Sequence, residues 1–397
     1  EAMAVVLAQG RRPVEKTFGN LATDTGLALS LTGSYAPPQG AVGWARSLTR
    51  AALAKGKYEK PYWVLEYSSD VEGDTKVLTD LLLPHVAVVA TIVPVHMELY
   101  KTEEVMIRET LSIIPELAAD GVVIANADDP IQANEIPKIS DGRRVIWYGI
   151  REKMKEPGVW AHDIAITEKG LSCKISLIGE SASGSVQAVK QMGVRLNVLA
   201  EYQLYPLLAA AAAAMLEGFS MDAVKEGLQN YQLPAGRGRI IDGRDNLTII
   251  DDSGNASPEA VIAGLAVLKQ AFPGRRRVAI VGNMNELGDI AAAEHHRVGG
   301  VAAGSCDVFM PVGPNVKHFV AGATESGMDA AAIISFDTAD ALLEDMDKYI
   351  CAGDVVFVKA SQNGMYLERV VERLMLDPAR SAELLFRQEP YWKAKRK

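Results

Sequence analysis

Residues 247–260 read LTIIDDSGNASPEA. The β-branched run Thr248-Ile249-Ile250 favours a strand, and Asp251 to Asn255 are turn formers. Ser257-Pro258-Glu259 then predicts a helix opened by a serine cap, with proline as its first residue. Strand, tight turn and helix in succession is the repeating unit of an α/β fold. The oddity is a pair of adjacent carboxylates, Asp251 and Asp252, at the carboxyl end of the strand. Turn chemistry is one reading of them. The other is a ligand site, because α/β sheets bind ligands outside the carboxyl ends of parallel strands. The stretch alone leaves both open.

The same alternation continues on the C-terminal side, through RRVAIVG (276–282), DVFMPVG (307–313), AAIISF (331–336) and DVVFVKA (354–360). These strands, with helices between them, predict a Rossmann-like, doubly wound domain over 235–397. Pro and Gly cluster in LPAGRGRI (233–240), which marks the boundary. Upstream, residues 1–234 predict another α/β domain with a mostly parallel sheet. Its expected elements are a helix over 1–9, strands over 62–67 and 86–93, a helix over 102–117 and the strand that opens GVVIANADDP (121–130). RVIWYGI, WAHDIAIT, LSCKISLI and SVQAVKQ, between 144 and 191, predict a small antiparallel insertion. LYPLLAAAAAAMLEGF (204–219) predicts a helix whose six alanines form a tight packing face.

The 397 residues are enough for two or three domains. A formal net charge of −9 argues against nucleic acid and anionic membrane surfaces as partners. Cys173, Cys306 and Cys351 are odd in number and far apart, which suggests no disulfide framework and favours a reducing cytoplasm. No apolar run approaches the roughly 20 residues that a membrane span needs. The basic end YWKAKRK reads as a solvated tail. The opening EAMAVVLAQGRRP is already in helix register, so Glu1 is expected to lie inside a helix that begins upstream.

Polar residues stand at several strand ends. In a parallel sheet Glu66, His96 and Asn126 would share one edge, and a carboxylate beside an imidazole could hold a divalent metal. A hydrogen-bonded histidine after Pro94 is the other reading of His96. Arg237 lies in a linker, where its fork could reach a nucleotide or simply be solvated. VGNMNELG (281–288) does not match G-x-G-x-x-G, and no G-x-x-x-x-G-K-[ST] occurs in these residues.

Taken in order, these pieces resemble the Mur ligase family, over essentially the whole chain. TFGNLATDTG (17–26) is similar to its T-x-GN-x-N-x-x-x-G stretch at Thr17, Gly19, Asn20 and Gly26. VLEYSSDVEGD and IVPVHMELY resemble the segments that supply a magnesium-binding glutamate, here Glu66, and a histidine ligand, here His96. ANADDP matches N-A-D-D at Asn126, Asp128 and Asp129, and PAGRGRI matches the linker whose arginine, here Arg237, contacts ATP. IDDSGNASP resembles D-D-S-Y-N-A-N-P, the signature of the branch that adds D-alanyl-D-alanine, at Asp251, Asp252, Asn255 and Pro258. VGNMNELG, AEHHRVG and VKASQNGMYLERVV resemble the later family motifs.

The resemblance implies a ligase that uses ATP and Mg2+ to join D-Ala-D-Ala to UDP-MurNAc-tripeptide through an acyl phosphate, in peptidoglycan precursor synthesis. It implies Glu66, His96 and Arg237 as catalytic residues, the first two as metal ligands. Asn126, Arg237 and Asp252 would bind nucleotide, and Thr17, Asn20, Asn255, Asn283 and Ser361 the other substrates. A cytoplasmic monomer that binds no nucleic acid and inserts in no membrane is expected. In the family a P-loop precedes the helix that opens this chain, so these residues alone are expected to be inactive.

The departures are Gly254 for the signature tyrosine, Asn283 for an aspartate and Ala22 for the second asparagine of GN-x-N. EYQLYP (201–206) stands in place of an H-N-x-x-N motif, leaving Tyr202, Gln203 and Pro206 as substitutes. No lysine follows Lys101 in the helix where relatives carry a carbamoylated one, and Arg108 cannot be carbamoylated, which puts a second magnesium in question. Two alternatives remain: a Mur-like ligase for another amino acid, and a non-catalytic binding protein derived from the ligase.

Overall fold

Strands rich in Val, Ile, Phe and Ala bury both faces, as at Val308–Val312 and Val355–Lys359, where every residue is buried. The computed structural model describes residues 1–17, 27, 30, 40–53, 62–69, 71–93, 97–150, 158–180, 186–285, 287–361 and 364–395. They divide into two compact units. One comprises Glu1–Ile164, Ser172–Leu196 and Glu201–Tyr231; the other comprises Ala165–Leu171, Asn197–Ala200 and Gln232–Lys397.

In the first unit β1 (Val14–Lys16) pairs in parallel with β2 (Tyr62–Val64). A six-stranded sheet runs in chain order through β3 (Val86–Val88), β4 (Val122–Asn126), β5 (Arg144–Gly149), β6 (Gly158–Thr167), β7 (Gly170–Glu180) and β8 (Val186–Leu196). β3 to β6 are parallel. Only Glu168 and Lys169 separate β6 from β7, a connection that permits only an antiparallel return. The expected antiparallel insertion begins later than its first segment, RVIWYGI, suggests: β5 and β6 continue the parallel ladder, and the change of direction comes at β7. β6 is buried over Gly158–Ala161 and alternates beyond it, a pattern that carries no mark of its partner's direction. At the join of β5 and β6, a Cβ on Gly158 would lie 2.0 Å from the Trp147 carbonyl oxygen, so only glycine fits. Helix Leu204–Leu216 packs on helix Ala2–Leu7, β4 and β5 with all of Ala209–Ala214 buried. The alanine run is thus a close packing face.

The second unit holds β9 (Arg239–Asp242), β10 (Thr248–Asp252), β11 (Arg277–Gly282), β12 (Val308–Val312) and β13 (Val355–Lys359), in the order β12-β11-β13-β10-β9. Four strands are parallel, and β9 closes the edge antiparallel to β10. Side chains alternate between two cores. Val356 and Val358 join Ile280 and Met310 on one face, and Phe357 joins Ala279 and Phe309 on the other. The strand expected over 331–336 is not a ladder strand. Asp329 caps a short 3-10 turn at Ala330–Ala332, and only Ile333 and Phe336 form isolated bridges, to Phe309 and Val312. Because β10, β11, β12 and β13 are parallel, their carboxyl ends lie along one edge.

Candidate functional site

That edge of the second unit gathers the chemistry. Parallel pairing of β10 with β13 sets Asp252 opposite Lys359, and the Lys359 ammonium meets Asp252 Oδ2 at 2.5 Å. The pair is almost wholly buried, with side-chain exposures of 4% and 12%. Burial pushes the Asp252 carboxyl up, against the opposing pull of Lys359 and Arg237. It pushes the Lys359 amine down, against the opposing effect of Asp252.

Strand alternation sends the preceding Asp251 to the other face, where it is fully buried. There Oδ1 accepts from the Ser253 N–H and Oγ at 3.2 and 2.6 Å, and Oδ2 from the Gly236 N–H at 3.1 Å. Burial raises its pKa. The two carboxylates thus divide the readings left open by the sequence: Asp251 builds the turn and Asp252 faces the strand-end edge. Ser257 occupies the cap position of helix Pro258–Ala271, although its side chain makes no cap bond.

Arg237 is exposed between Gly236 and Gly238, whose φ values of +69° and +81° suit glycine. This turn is fastened to the end of β10. The Gly238 N–H donates to the Asp251 carbonyl at 2.8 Å, and the Gly254 N–H to the Gly236 carbonyl at 2.9 Å. A Cβ on Gly254 would lie 2.6 Å from that carbonyl oxygen, so the glycine in place of the signature tyrosine permits a direct backbone contact.

The neighbouring strand ends are joined by amides. Asn283 accepts from Asn315 Nδ2 at 2.7 Å and donates to Asn285 Oδ1 at 2.7 Å. The Asn285 N–H donates to Ser361 Oγ at 2.8 Å, and the Ser361 N–H to the Asn283 carbonyl at 3.2 Å. Below them His295 is fully buried, accepting from the Met284 N–H at 3.0 Å. Asn255 is exposed, its Oδ1 accepting from the Ala256 N–H.

In the first unit the expected convergence of Glu66 and Asn126 on one sheet edge is not what forms. β2, which precedes Glu66, pairs with β1, whereas Asn126 ends β4 of the six-stranded sheet. Glu66 is exposed, and its N–H donates to the buried Thr17 Oγ1 at 3.0 Å. Its carboxylate is an oxygen donor of the kind magnesium takes. His96 and Asn20 lie outside the described residues, among which no group of three or more metal-ligating side chains occurs. Asn126 is buried, donating to Thr91 Oγ1 and accepting from the Asp128 N–H. Asp128 accepts from the Ile150 N–H at 2.5 Å and the Tyr205 hydroxyl at 3.1 Å. Asp129 caps helix Pro130–Ile139 and accepts from the Ile92 N–H at 2.7 Å. Of the EYQLYP substitutes, Gln203 is buried and Tyr202 exposed, while Pro206 lies in the first turn of helix Leu204–Leu216. Arg108 pairs with Glu72.

Sequence reasoning missed Lys359, Asn315 and Glu109. Buried Glu109 accepts from the Gly73 and Thr75 N–H groups and Ser69 Oγ, fixing the loop that follows Glu66. Two left a trace: Lys359 ends a strand of otherwise apolar residues, and Glu109 falls three positions after Met106, in the buried phase of its helix. A cleft of about 690 Å³ between helices Glu103–Leu111 and Pro130–Ile139 is lined by none of the candidate residues.

The Mur ligase middle domain matches residues 41–214, and the Mur ligase glutamate ligase domain matches 236–362. The chain belongs to the Mur ligase family. Within that family, the UDP-N-acetylmuramoyl-tripeptide--D-alanyl-D-alanine ligase of Mycobacterium tuberculosis H37Rv is 30% identical over 338 residues, which span 80% of this chain and 63% of that protein. The ligase of the same name from Escherichia coli K12 is 29% identical over 80% of this chain and 66% of its own length. The chain thus spans just under two thirds of these relatives. Among solved structures, MurF from Acinetobacter baumannii superposes with a TM-score of 0.72 at 23% identity, covering 93% of this chain and 72% of that one. MurF from Thermotoga maritima in complex with ADP gives 0.66 at 22% identity, covering 94% and 75%. No helix among the described residues is long and apolar enough to cross a membrane.

Proposed function

We propose that this chain supplies the central domain (1–234) and C-terminal domain (235–397) of a cytoplasmic, monomeric ligase that joins D-alanyl-D-alanine to UDP-N-acetylmuramoyl-tripeptide. The observation that carries the reading is the cluster of Asp252, Lys359 and Arg237 at the end of the DDSGNASP strand, in a chain similar to ligases of that name. A carboxylate is a poor acyl donor because oxide leaves badly. Transfer of the ATP γ-phosphoryl to the tripeptide carboxylate turns that oxygen into part of a phosphate leaving group. The D-alanyl-D-alanine amine then attacks the carbonyl carbon, and the tetrahedral adduct expels phosphate as the amide forms. Such catalysis is mainly positioning and charge neutralisation.

In this mechanism Asp252 accepts from a ribose hydroxyl, and Asn126 and Arg237 orient the nucleotide. Thr17 and Asn20 face the nucleotide-sugar peptide, and Asn255, Asn283 and Ser361 face the incoming dipeptide. Glu66 and His96 would hold Mg2+, which would supply charge neutralisation for the phosphoryl transfer. Glu66→Ala or His96→Ala, assayed in the protein as its cell produces it, is expected to abolish magnesium-dependent ligation. Unchanged turnover in either variant removes the metal assignment. Arg237→Ala is expected to raise the KM for ATP.

A further inference from the structure

Lys359 occupies an unusual place for a lysine. It ends the central strand β13, between Asp252 of β10 and Val281 of β11, at a residue exposure of 3%. Stability alone explains the resulting ion pair poorly, because a buried salt bridge replaced by well-packed apolar side chains usually leaves stability unchanged or higher. Its geometry suggests another use. Lys359 engages Oδ2 of Asp252, whose side chain keeps 12% of its surface exposed at the carboxyl end of β10. An aspartate with free χ angles would rotate, or take up a proton and become a donor, when buried without a cation. Lys359 is itself too enclosed to touch a ligand.

We propose that Lys359 is a positioning residue: it pins Oδ2 of Asp252 so that Oδ1 is presented, as an acceptor, to a hydroxyl of the nucleotide ribose. The inference rests on the proposed function and extends it to a residue that touches no substrate. Exposed Arg237, whose charge acts on both members of the pair, adds to the pull of Lys359 against the effect of burial on Asp252.

The test compares equilibrium binding of ATP and of 2′,3′-dideoxy-ATP by the protein as its cell produces it. A hydrogen bond to a charged acceptor should give the wild type a preference for ATP of about tenfold or more. Lys359→Met is expected to lower ATP affinity by about tenfold and leave dideoxy-ATP affinity unchanged, collapsing the preference, whereas Lys359→Arg restores most of it. If Lys359→Met fails to fold, Lys359→Gln, which keeps a donor without the charge, is read by the same ratio. A variant that retains the wild-type ratio overturns the inference, whether both affinities hold or both fall together. Asp252→Asn separates the two levels of argument. If it too keeps the wild-type ratio, the ribose role of Asp252 fails; if it loses the ratio while Lys359→Met keeps it, only the role of Lys359 fails.

Discussion

A strand turns successive side chains to opposite faces, and at 251 and 252 this separates two identical groups by environment. Asp251 takes three hydrogen bonds from the turn beneath it, and Asp252 takes the Lys359 ammonium. The histidine doublet is divided the same way by helix phase. His296 is half-buried and pairs with Glu325, while His295 is enclosed, with Nδ1 against the Ala291 carbonyl and Nε2 accepting from the Met284 N–H. This arrangement requires a neutral ring, and burial holds its pKa below the usual 6.5, helped by His318. For a group whose folded pKa is depressed, the stabilisation is fully present above the unfolded value and is lost as pH falls through the folded one. Wild-type unfolding free energy is therefore expected to decline as pH drops below 6.5. His295→Gln should flatten that part of the profile. Denaturant melts of both proteins at several pH values check this, and parallel profiles would refute it.

At the scale of elements, side chains decide where strands stop. The apolar run 86–93 predicts one long strand, yet β3 ends at Val88. Past it the backbone bonds to side chains: the Ile92 N–H donates to Asp129, and the Ala90 carbonyl accepts from Gln132. Both partners come from a loop and helix some 40 residues away, which local pattern does not reveal. Asp129 therefore caps helix Pro130–Ile139 and anchors the segment leading toward His96. Asp129→Ala is expected to cost about 2–4 kcal/mol, the sum of a lost cap and a stranded buried donor. Faster amide exchange at Ile92, Ile131 and Gln132 would accompany it. A loss under 1 kcal/mol in denaturant unfolding would show that water replaces the carboxylate.

For the molecule as a whole, the match to the Mur ligase glutamate ligase domain ends at residue 362, but the second unit continues to Lys397. Arg387 is 2% exposed at its side chain and lies 3.8 Å from the fully buried Glu368. The rings of Phe386, Tyr366 and Trp392 stand 5.0, 5.4 and 5.6 Å from its guanidinium. Within the same unit, Arg239 donates to the Leu233 and Leu384 carbonyls, tying the segment that carries Arg237 to the C-terminal stretch. Arg387→Met removes the cation beside a buried carboxylate and is expected to cost about 3–5 kcal/mol. The double variant Glu368→Leu/Arg387→Met should recover part of that loss. Additive losses in urea unfolding would argue against coupling between the two residues.

Alternation of apolar strands with amphipathic helices, and the carboxyl-end polar residues that follow from it, made the α/β class and many of the candidate positions legible from sequence. Asp252 and Arg237 belong to short motifs, and motifs are local. Tertiary structure alone decided which of two adjacent aspartates faces the edge, that Lys359 pairs with it, that β5 and β6 run parallel, and that Asn315 joins Asn283. Each depends on a hydrogen-bond register or packing contact between residues far apart in the chain. Local propensity reports the conformation of a segment and carries no information about its partner.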